Sequence, residues 1–529
     1  MLTRGRSAQP KATAAIDAKA SKWHAIPWTS SKPRSAPAKP SSRSRTRSRT
    51  RVSVKRLAPP DTSHDRPPPP KRARVATRPP RSEPSGRTPA LLSSLPKPKE
   101  EASVSLLPLP EVPERGNPSA EVFVWGNGDC GQFGMGPEDE SMGERTKPTR
   151  NKSMEETMKA RIVAIAAGGM HSLFIDEDGK IWTCGLNDDA ALGRITGGAE
   201  DDLEDLSTYP HCLDISEDYR AARIAAGDSI SAAISTTGKL LVWGSFRGPN
   251  GVLPLSDGKT HLPKPVPVLP SAPCVALAAG NNHLVVLTAA GTVYTWGASE
   301  QGQLGRTALP DSATTPGHVV LGARAVAVGA GAYHSFAVDD AGAVWGWGLN
   351  NAGQLGTGGE SAGTSAIVQD IVQSPTRVVG LCPEDLGGAR VVQIAGGDLH
   401  TLFRTSDGRV FACGRADSCQ LGLPDDHPAL VDNQTNIPLP VRVPFPDGEK
   451  DDPVLSISTG TRFSAAVTRA GALYTWGEGS VGELGLDGEE QARVPTAVVR
   501  RGVGRWAVAD VSCGGQHSLG LFRRVEEDL

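Results

Sequence analysis

Histidine recurs at one fixed place along this chain, three residues after a glycine, and this recurrence is the first pattern that suggests chemistry. The copies are His171, His283, His334, His400 and His517, with Ile230 and Phe463 at the same place in two further copies. Histidine can bind metals or move protons, but this spacing puts each one in a different repeat without carboxylate partners. The pattern favours a structural role, in which each ring donates a hydrogen bond to a carbonyl of the neighbouring repeat.

The residues between the glycine and the histidine position do not repeat, and they are better candidates for function. Structure requires the repeated residues, whereas binding tends to use the exceptions. The candidates in these segments are Asp228, Asn281, Asn282, Ala332, Tyr333, Asp398, Leu399, Thr461, Arg462 and Gln516.

Motifs for covalent catalysis are missing from the sequence. It contains no H-E-x-x-H pair. Gly258-Lys259-Thr260 is similar to the end of a phosphate-binding loop, but Leu253 stands where that motif needs glycine. The sequence therefore predicts a protein that is not an enzyme and that uses no cofactor and no metal.

A ladder of glycines defines the elements that carry these residues. In six copies, a glycine is followed after eleven residues by a second glycine and after six more by a third, as at Gly168, Gly179 and Gly185. Short runs rich in β-branched and aromatic residues lie between them, and the middle glycine falls in a turn such as DEDG. This arrangement is typical of β-hairpins, and repetition at this period indicates a propeller.

The ends of the repeat predict how the ring closes. Gly126 lacks the upstream half of its repeat and Gly514 lacks the downstream half, so the two halves complete each other. The prediction is an all-β, seven-bladed propeller over residues 119–529, in which strand 121–125 shares a blade with 511–522. Closure of this kind leaves few sheet edges exposed.

The third blade breaks the repeat. In the six other copies the residue eight positions after the closing glycine is again glycine, but after Gly244 that position is Val252. The segment contains Gly-Pro-Asn-Gly between two apolar ends, which predicts a protruding hairpin in one blade only. Its residues are Phe246, Arg247, Gly248, Pro249, Asn250, Gly251, Val252 and Leu253.

Residues 1–118 differ in composition from the repeats and are predicted to be a disordered basic tail rich in Pro, Ser and Arg. Residues 1–100 hold 24 Lys and Arg against 5 Asp and Glu, whereas the rest of the chain holds 32 against 53. One cluster, Lys71, Arg72 and Arg74, predicts a nuclear import signal read by an importin. Alternating arginines that suit the phosphates of DNA are Arg43, Arg45, Arg47, Arg49 and Arg51.

Neither a signal peptide nor a membrane-spanning stretch is visible, so no membrane contact is predicted. The import signal and the basic tail predict a nuclear, chromatin-associated protein. The eight cysteines form no C-x-x-C pair and are predicted to be reduced. An acidic loop within 197–219 and the long loops 357–388 and 423–453 lie on the faces of the predicted ring, where partners bind.

The repeats, with AAGGMHS, DGKIWTCG and GQLG, resemble those of the regulator of chromosome condensation family over essentially all of 121–529. Within that family, segment 246–253 resembles the β-wedge of exchange factors for Ran-type small GTPases. The resemblance implies that this wedge enters the GTPase beside its phosphate loop and accelerates GDP release, in support of nucleocytoplasmic transport. It also implies a monomer that binds chromatin, both DNA and histones.

The resemblance also assigns roles to single residues. Asp129, His171, Asp228, Arg247 and His517 stand where the partner-facing positions of the family fall, and carboxylates such as Asp228 would attract the lysine of the phosphate loop. Further candidates from the same loops are Asn282, Asp398 and His400.

Three departures from the family pattern stand out. Asn282 replaces an aspartate, Leu399 replaces a histidine, and the arginine-bearing loop after the fourth blade reads TALPDSATTPG at 307–317. The alternative function, from another class, is a propeller scaffold for protein–protein interaction on chromatin. A scaffold gives no reason for the hairpin in the third blade.

Overall fold

The structure is a computed structural model that describes residues 105–114, 119–138, 141–159, 161–196, 207–358, 370–433, 435–446, 451–499 and 505–525. The chain divides into two units, Met1–Leu95 and Pro96–Leu529, and every described residue belongs to the second. The predicted import signal, the alternating arginines and residues 197–206 of the acidic loop lie outside the described residues.

The described residues form seven four-stranded antiparallel sheets and one two-stranded hairpin. The strands, blade by blade, are Trp506–Cys513, His517–Arg524, Glu121–Asn127 and Glu144–Arg150 (blade 1); Ile162–Ala167, His171–Asp176, Ile181–Gly185 and His211–Cys212 (blade 2); Ala221–Ala226, Ile230–Ser235, Leu240–Gly244 and Leu262–Val268 (blade 3); Cys274–Ala279, His283–Thr288, Val293–Gly297 and Gly317–Val319 (blade 4); Ala325–Ala330, His334–Asp339, Val344–Leu349 and Ile371–Arg377 (blade 5); Val391–Gly396, His400–Thr405, Val410–Arg415 and Asn436–Arg442 (blade 6); and Val454–Thr459, Phe463–Thr468, Leu473–Glu478 and Gln491–Val499 (blade 7).

Helical structure in the described part is confined to short turns. They include a π-helical turn at Met154–Met158, 3₁₀ turns at Asp188–Ala190 and Pro428–Asn433, and an α-helical turn at Pro310–Ala313. The fold prediction of an all-β propeller is confirmed.

Ring closure follows the prediction as well. The strand Glu121–Asn127 lies between Glu144–Arg150 and the C-terminal strand, and pairs with the latter from Glu121 opposite Phe522 to Gly126 opposite His517. The two ends of the described propeller thus share blade 1, which closes the ring.

Tryptophans at the ends of the third strands join neighbouring blades. Trp125, Trp243, Trp347 and Trp476 are essentially inaccessible to solvent. Each indole N–H donates to a backbone carbonyl of the loop in the preceding blade, as from Trp347 to Gln303 at 3.0 Å. The repeated glycine of that loop lies against the ring: a Cβ added to Gly305 would lie 2.6 Å from Trp347. The G-Q-L-G motif is therefore a packing motif.

The histidine column is also structural, although its acceptor differs from the prediction. Each Nε2 bonds to a serine or threonine hydroxyl of the next blade, at 2.8 to 3.0 Å, and that hydroxyl donates to a loop carbonyl. Direct bonding to a carbonyl was the wrong expectation, because the side chain after the column residue comes between them. The pairs are His171–Ser231, His283–Ser335, His334–Thr401, His400–Ser464 and His517–Ser172.

The loops after the first and third strands of every blade lie on one face of the ring, which we call the wedge face. On the opposite face, segment 105–114 runs extended against blades 3 to 5. The Leu107 amide donates to the Ala289 carbonyl at 2.8 Å, and Arg223 donates to the Glu111 carbonyl at 3.1 Å. This part of the predicted tail is therefore packed on the propeller.

Candidate GTPase-binding site

The irregular loop of blade 3 is a short hairpin, as predicted, and we call residues 246–253 the wedge. Arg247–Gly248 pairs with Gly251–Val252, and Pro249 and Asn250 form an exposed tip. The base is apolar: Phe246 is 1% exposed and belongs to the cluster formed by blades 3 and 4. The Leu253 amide donates to the Phe246 carbonyl at 2.8 Å and closes this base. A polar tip on a packed base can contact a partner without unfolding.

Side chains of the two flanking blades hold the start of the wedge. From blade 4, the side-chain oxygen of Asn282 accepts the backbone amide of Arg247 at 2.8 Å. From blade 2, Asp189 Oδ2 accepts a hydrogen bond from Arg247 Nε at 2.6 Å. The same oxygen forms an ion pair with Nη2 of the Arg247 guanidinium. Both neighbouring blades therefore hold the wedge at the same residue, Arg247.

Asp228 lies beside this contact at the mouth of the central channel. The Asn282 amide donates to Asp228 Oδ2 at 3.2 Å, which links the carboxylate to the wedge. Although Asp228 keeps contact with solvent, partial burial of its carboxyl group raises its pKa to about 6. The nearby Asp398 adds to this rise in pKa, whereas Asn282 and Arg247 oppose it. A carboxylate of this kind favours an incoming cation.

A second carboxylate, Asp398, faces the same channel mouth from blade 6. Burial raises its pKa and Arg462 opposes the rise. Tyr333 lies near both carboxylates, and burial, Asp398 and Asp228 together raise the pKa of its phenol. The mouth encloses a cavity of about 100 Å³ lined by Asp228, Asn281, Asp398 and Thr461 among glycines of the first loops. The result is a small acidic funnel.

A larger cleft of about 330 Å³ lies between the channel mouth and the wedge. Its lining includes Asp188, Asp228, Arg247, Met170 and Gln516. The cleft brings residues of blades 1, 2, 3 and 7 onto one surface.

Asp129 lies on the same face in blade 1 and is exposed. Its amide bonds to Asn127 Oδ1 at 2.7 Å, and the Asn127 amide donates back to Asp129 Oδ2 at 3.3 Å. Burial, Asp129 and Asp188 raise the pKa of the nearby Cys130 thiol. The predicted carboxylates Asp129, Asp228 and Asp398 therefore share the wedge face.

The three histidines predicted as site residues lie elsewhere. His171, His400 and His517 are at most 1% exposed and occupy the contacts between blades. Burial lowers the pKa of His171 to about 4 and that of His400 and His517 to about 3. The structure thus places these three rings in the contacts between blades and not on the exposed wedge face.

Sequence reasoning missed Asp189, which is the ionic partner of Arg247. A signal was present: the loop of blade 2 reads N-D-D-A-A-L-G, without the glutamine found in most of the other copies. The significance of that change depends on the neighbouring wedge, which no single repeat reveals.

Among the described residues there is no cluster of three or more histidine, cysteine or acidic side chains that could hold a metal. All eight cysteines are free. No helix in the described part has the length and apolar character needed to cross a membrane.

These features define a class: a seven-bladed propeller with one wedge and an acidic channel mouth on the same face. The chain belongs to the RCC1-like domain family, which matches residues 121–520. It is 33% identical over 436 residues to "Regulator of chromosome condensation" of Xenopus laevis, which covers 79% of this chain and 93% of the relative. It is 30% identical to "Guanine nucleotide exchange factor SRM1" of Saccharomyces cerevisiae, covering 77% and 88%.

Solved structures of a yeast protein agree with this membership. Prp20p from Saccharomyces cerevisiae, described with its binding properties to Gsp1p and histones, has a TM-score of 0.67 at 28% identity, covering 80% of this chain and 94% of that chain. The same protein, described as Kap60 bound to yeast RCC1 (Prp20), has a TM-score of 0.68 at 27% identity, covering 84% and 98%.

Proposed function

We propose that this protein is a guanine-nucleotide exchange factor for a Ran-type small GTPase and acts through the wedge. The observation that carries the proposal is the single irregular hairpin, anchored at Arg247 and flanked by the carboxylates of the wedge face. A family relative named as an exchange factor supports it.

In the proposed mechanism, the wedge tip enters the GTPase beside its phosphate loop and displaces that loop from the nucleotide. The lysine freed from the phosphates is attracted to the acidic funnel at Asp228 and Asp398. No covalent bond is made or broken in this step, because exchange requires only that the propeller binds the nucleotide-free GTPase more tightly than the nucleotide-loaded form.

The net negative charge outside residues 1–100 favours this encounter. That part of the chain carries 53 acidic against 32 basic residues. A negative surface attracts a basic partner surface and raises the association rate, an effect that falls with salt.

We further propose that the protein acts in the nucleus on chromatin, supporting a nuclear gradient of the loaded GTPase. The support is the basic composition of residues 1–100 and the yeast relative described with histones and with Kap60. In this proposal Arg43–Arg51 contact DNA phosphates and Lys71–Arg74 are read by an importin. These residues lie outside the described part of the chain.

The test is release of a fluorescent GDP analogue from purified Ran. Two proteins are compared: the full chain, and the full chain with Phe246–Leu253 replaced by the regular loop of blade 4. Acceleration by the intact protein that the replacement abolishes is the expected result. Acceleration that survives the replacement would move the site to the carboxylates. Acceleration by neither would contradict exchange and favour the scaffold function.

A matched control keeps the wedge and alters an irrelevant surface. Asp407→Asn removes an Arg409–Asp407 ion pair of 2.8 Å on the opposite face. This variant is expected to accelerate release as well as the intact chain, since its pair lies in a turn between the second and third strands of blade 6.

A further inference from the structure

Two loops that depart from the repeat, the loop of blade 2 and the wedge of blade 3, contact each other at the start of the wedge. The regular loops of blades 1, 4, 5, 6 and 7 each contain a Gln or Glu whose side-chain oxygen accepts the backbone amide two residues earlier, at 2.8 to 2.9 Å. The acceptors are Gln132, Gln303, Gln354, Gln420 and Glu483. The equivalent residue of blade 2 is Ala191, which has no side chain that can make this bond.

Without that brace the loop of blade 2 takes another path. Asp189 has φ 53° and the following Ala190 has φ 67°. The residue at the place of Ala190 is left-handed in the braced loops too, as at Gly302 with φ 72°, so Asp189 is the residue whose backbone differs. The residues equivalent to Asp189 in the five braced loops are not left-handed. Left-handed backbone at non-glycine residues is uncommon and unfavourable, so it persists where neighbouring contacts hold it.

The unusual backbone places the Asp189 carboxylate on Arg247 of the wedge. The Asp189 side chain is 22% exposed and that of Arg247 46% exposed, so the pair is partly shielded from water. The loss of a brace in one blade thus provides an anchor for the exceptional loop of the next.

Asn282 completes the arrangement from blade 4. Its two side-chain atoms do different work, since the oxygen accepts the Arg247 amide and the nitrogen donates to Asp228. An aspartate here could still accept the Arg247 amide, but it would repel Asp228 instead of donating to it. A neutral amide at position 282 is therefore the group that satisfies both neighbours.

We propose that Asp189 and Asn282 are positioning residues that hold the base of the wedge in the orientation needed for nucleotide release. The inference rests on the proposed exchange function for its kinetic consequence, but the positioning itself can be measured without the GTPase. The two residues act through Arg247 and are not assigned any contact with the nucleotide.

The first measurement is hydrogen exchange at the Arg247 amide in the full chain alone. Asn282→Ala is expected to speed exchange there about tenfold, because it removes the acceptor. Asn282→Asp is expected to leave it nearly unchanged, because a carboxylate oxygen still accepts. Equal protection in Asn282→Ala and the intact chain would overturn the positioning role of Asn282.

The second measurement is steady-state GDP release from Ran by Asp189→Ala, Asp189→Glu and the Asp407→Asn control. Asp189→Ala is expected to lower kcat about fivefold with little change in KM, as for a partly exposed ion pair that matters mainly in the release step. Asp189→Glu should recover most of the loss. Unchanged kcat in Asp189→Ala, or a loss that Glu cannot recover, would overturn the role of this ion pair.

The design separates the two proposals. If the intact chain does not accelerate release, the exchange function fails, while the Arg247 amide still reports whether the base is held. If the intact chain accelerates release but neither Asp189→Ala nor Asn282→Ala changes kcat, exchange stands and the positioning role is contradicted. Thermal unfolding of each variant shows that any loss arises in folded protein.

Discussion

The regular loops of the propeller and the wedge occupy equivalent places after the third strand, yet they use their residues differently. A regular loop turns inward: its glycine packs on a tryptophan and its glutamine binds its own backbone, as in Gly305 and Gln303. The wedge turns outward, and its polar contacts reach blades 2 and 4. A repeat therefore becomes a site where the contacts that close a loop are exchanged for contacts that orient it.

The largest expected effect concerns the histidines between the regular blades. Their pKa values are lowered by burial to about 3 or 4, below the ordinary 6.5, so the folded state binds fewer protons than the unfolded state. The free energy of unfolding therefore keeps its full value above pH 6.5. It falls as the pH drops towards 4, by ~3 kcal/mol for each histidine. Thermal unfolding between pH 7.5 and 4 should show a steep decline in Tm.

The control for this decline uses the blades that lack the histidine. Blade 7 has Phe463 at that place, so His334→Phe is a natural substitution for blade 5. The variant should lose less Tm on acidification than the intact chain, even if it starts lower. An unchanged slope would show that these rings do not govern the acid sensitivity.

The next effect separates packing from function. Trp347→Ala removes a buried indole that bonds to the Gln303 carbonyl, and it should cost ~3–5 kcal/mol in the free energy of unfolding. Urea unfolding measures the cost. GDP release by the remaining folded protein should be close to that of the intact chain, because Trp347 lies in blade 5 away from the wedge. Loss of GDP release by the fully folded variant would contradict this separation of packing from function.

A pair of glycine substitutions makes the same comparison with a smaller change. Gly305 and Gly251 both have positive φ, 62° and 111°, but only Gly305 has a neighbour where the Cβ would lie. Gly305→Ala should cost ~3 kcal/mol, the sum of overpacking and backbone strain, whereas Gly251→Ala should cost ~1 kcal/mol from strain alone. Equal costs by urea unfolding would show that the tryptophan contact is not the reason for the glycine.

The smallest effect is at the channel mouth and has the opposite sign. The pKa of Asp228 is raised to about 6, so its charged form destabilises the folded state above that pH and has no effect below about pH 4. Asp228→Asn should therefore raise stability by ~1 kcal/mol at pH 7.5, allowing for solvent screening, and leave it unchanged at pH 4. The same variant should slow GDP release if the proposed lysine contact is correct. A stabilising effect at both pH values would contradict a charge-based cause.

Much of the site could be predicted from single repeats. Gly244 without its partner glycine eight residues later located the wedge, and the non-repeating residues after the first glycine included Asp228, Asn282 and Asp398. His171, His400 and His517 lie between blades, because a residue that recurs in loops of one face can still point into the ring. Asp189 was missed because its importance depends on a neighbouring blade, and the packing of 105–114 was missed because that segment carries no repeat.

The sequence by itself determined the number of blades, the closure of the ring and the position of the wedge, since glycine, tryptophan and turn residues act locally and recur with a fixed period. The tertiary structure alone decided which exceptions meet. The contacts of Asp189 with Arg247 and of Asn282 with both Arg247 and Asp228 cross from one blade to the next. Their formation depends on the ring bringing together side chains that are far apart in the chain, which no local pattern encodes.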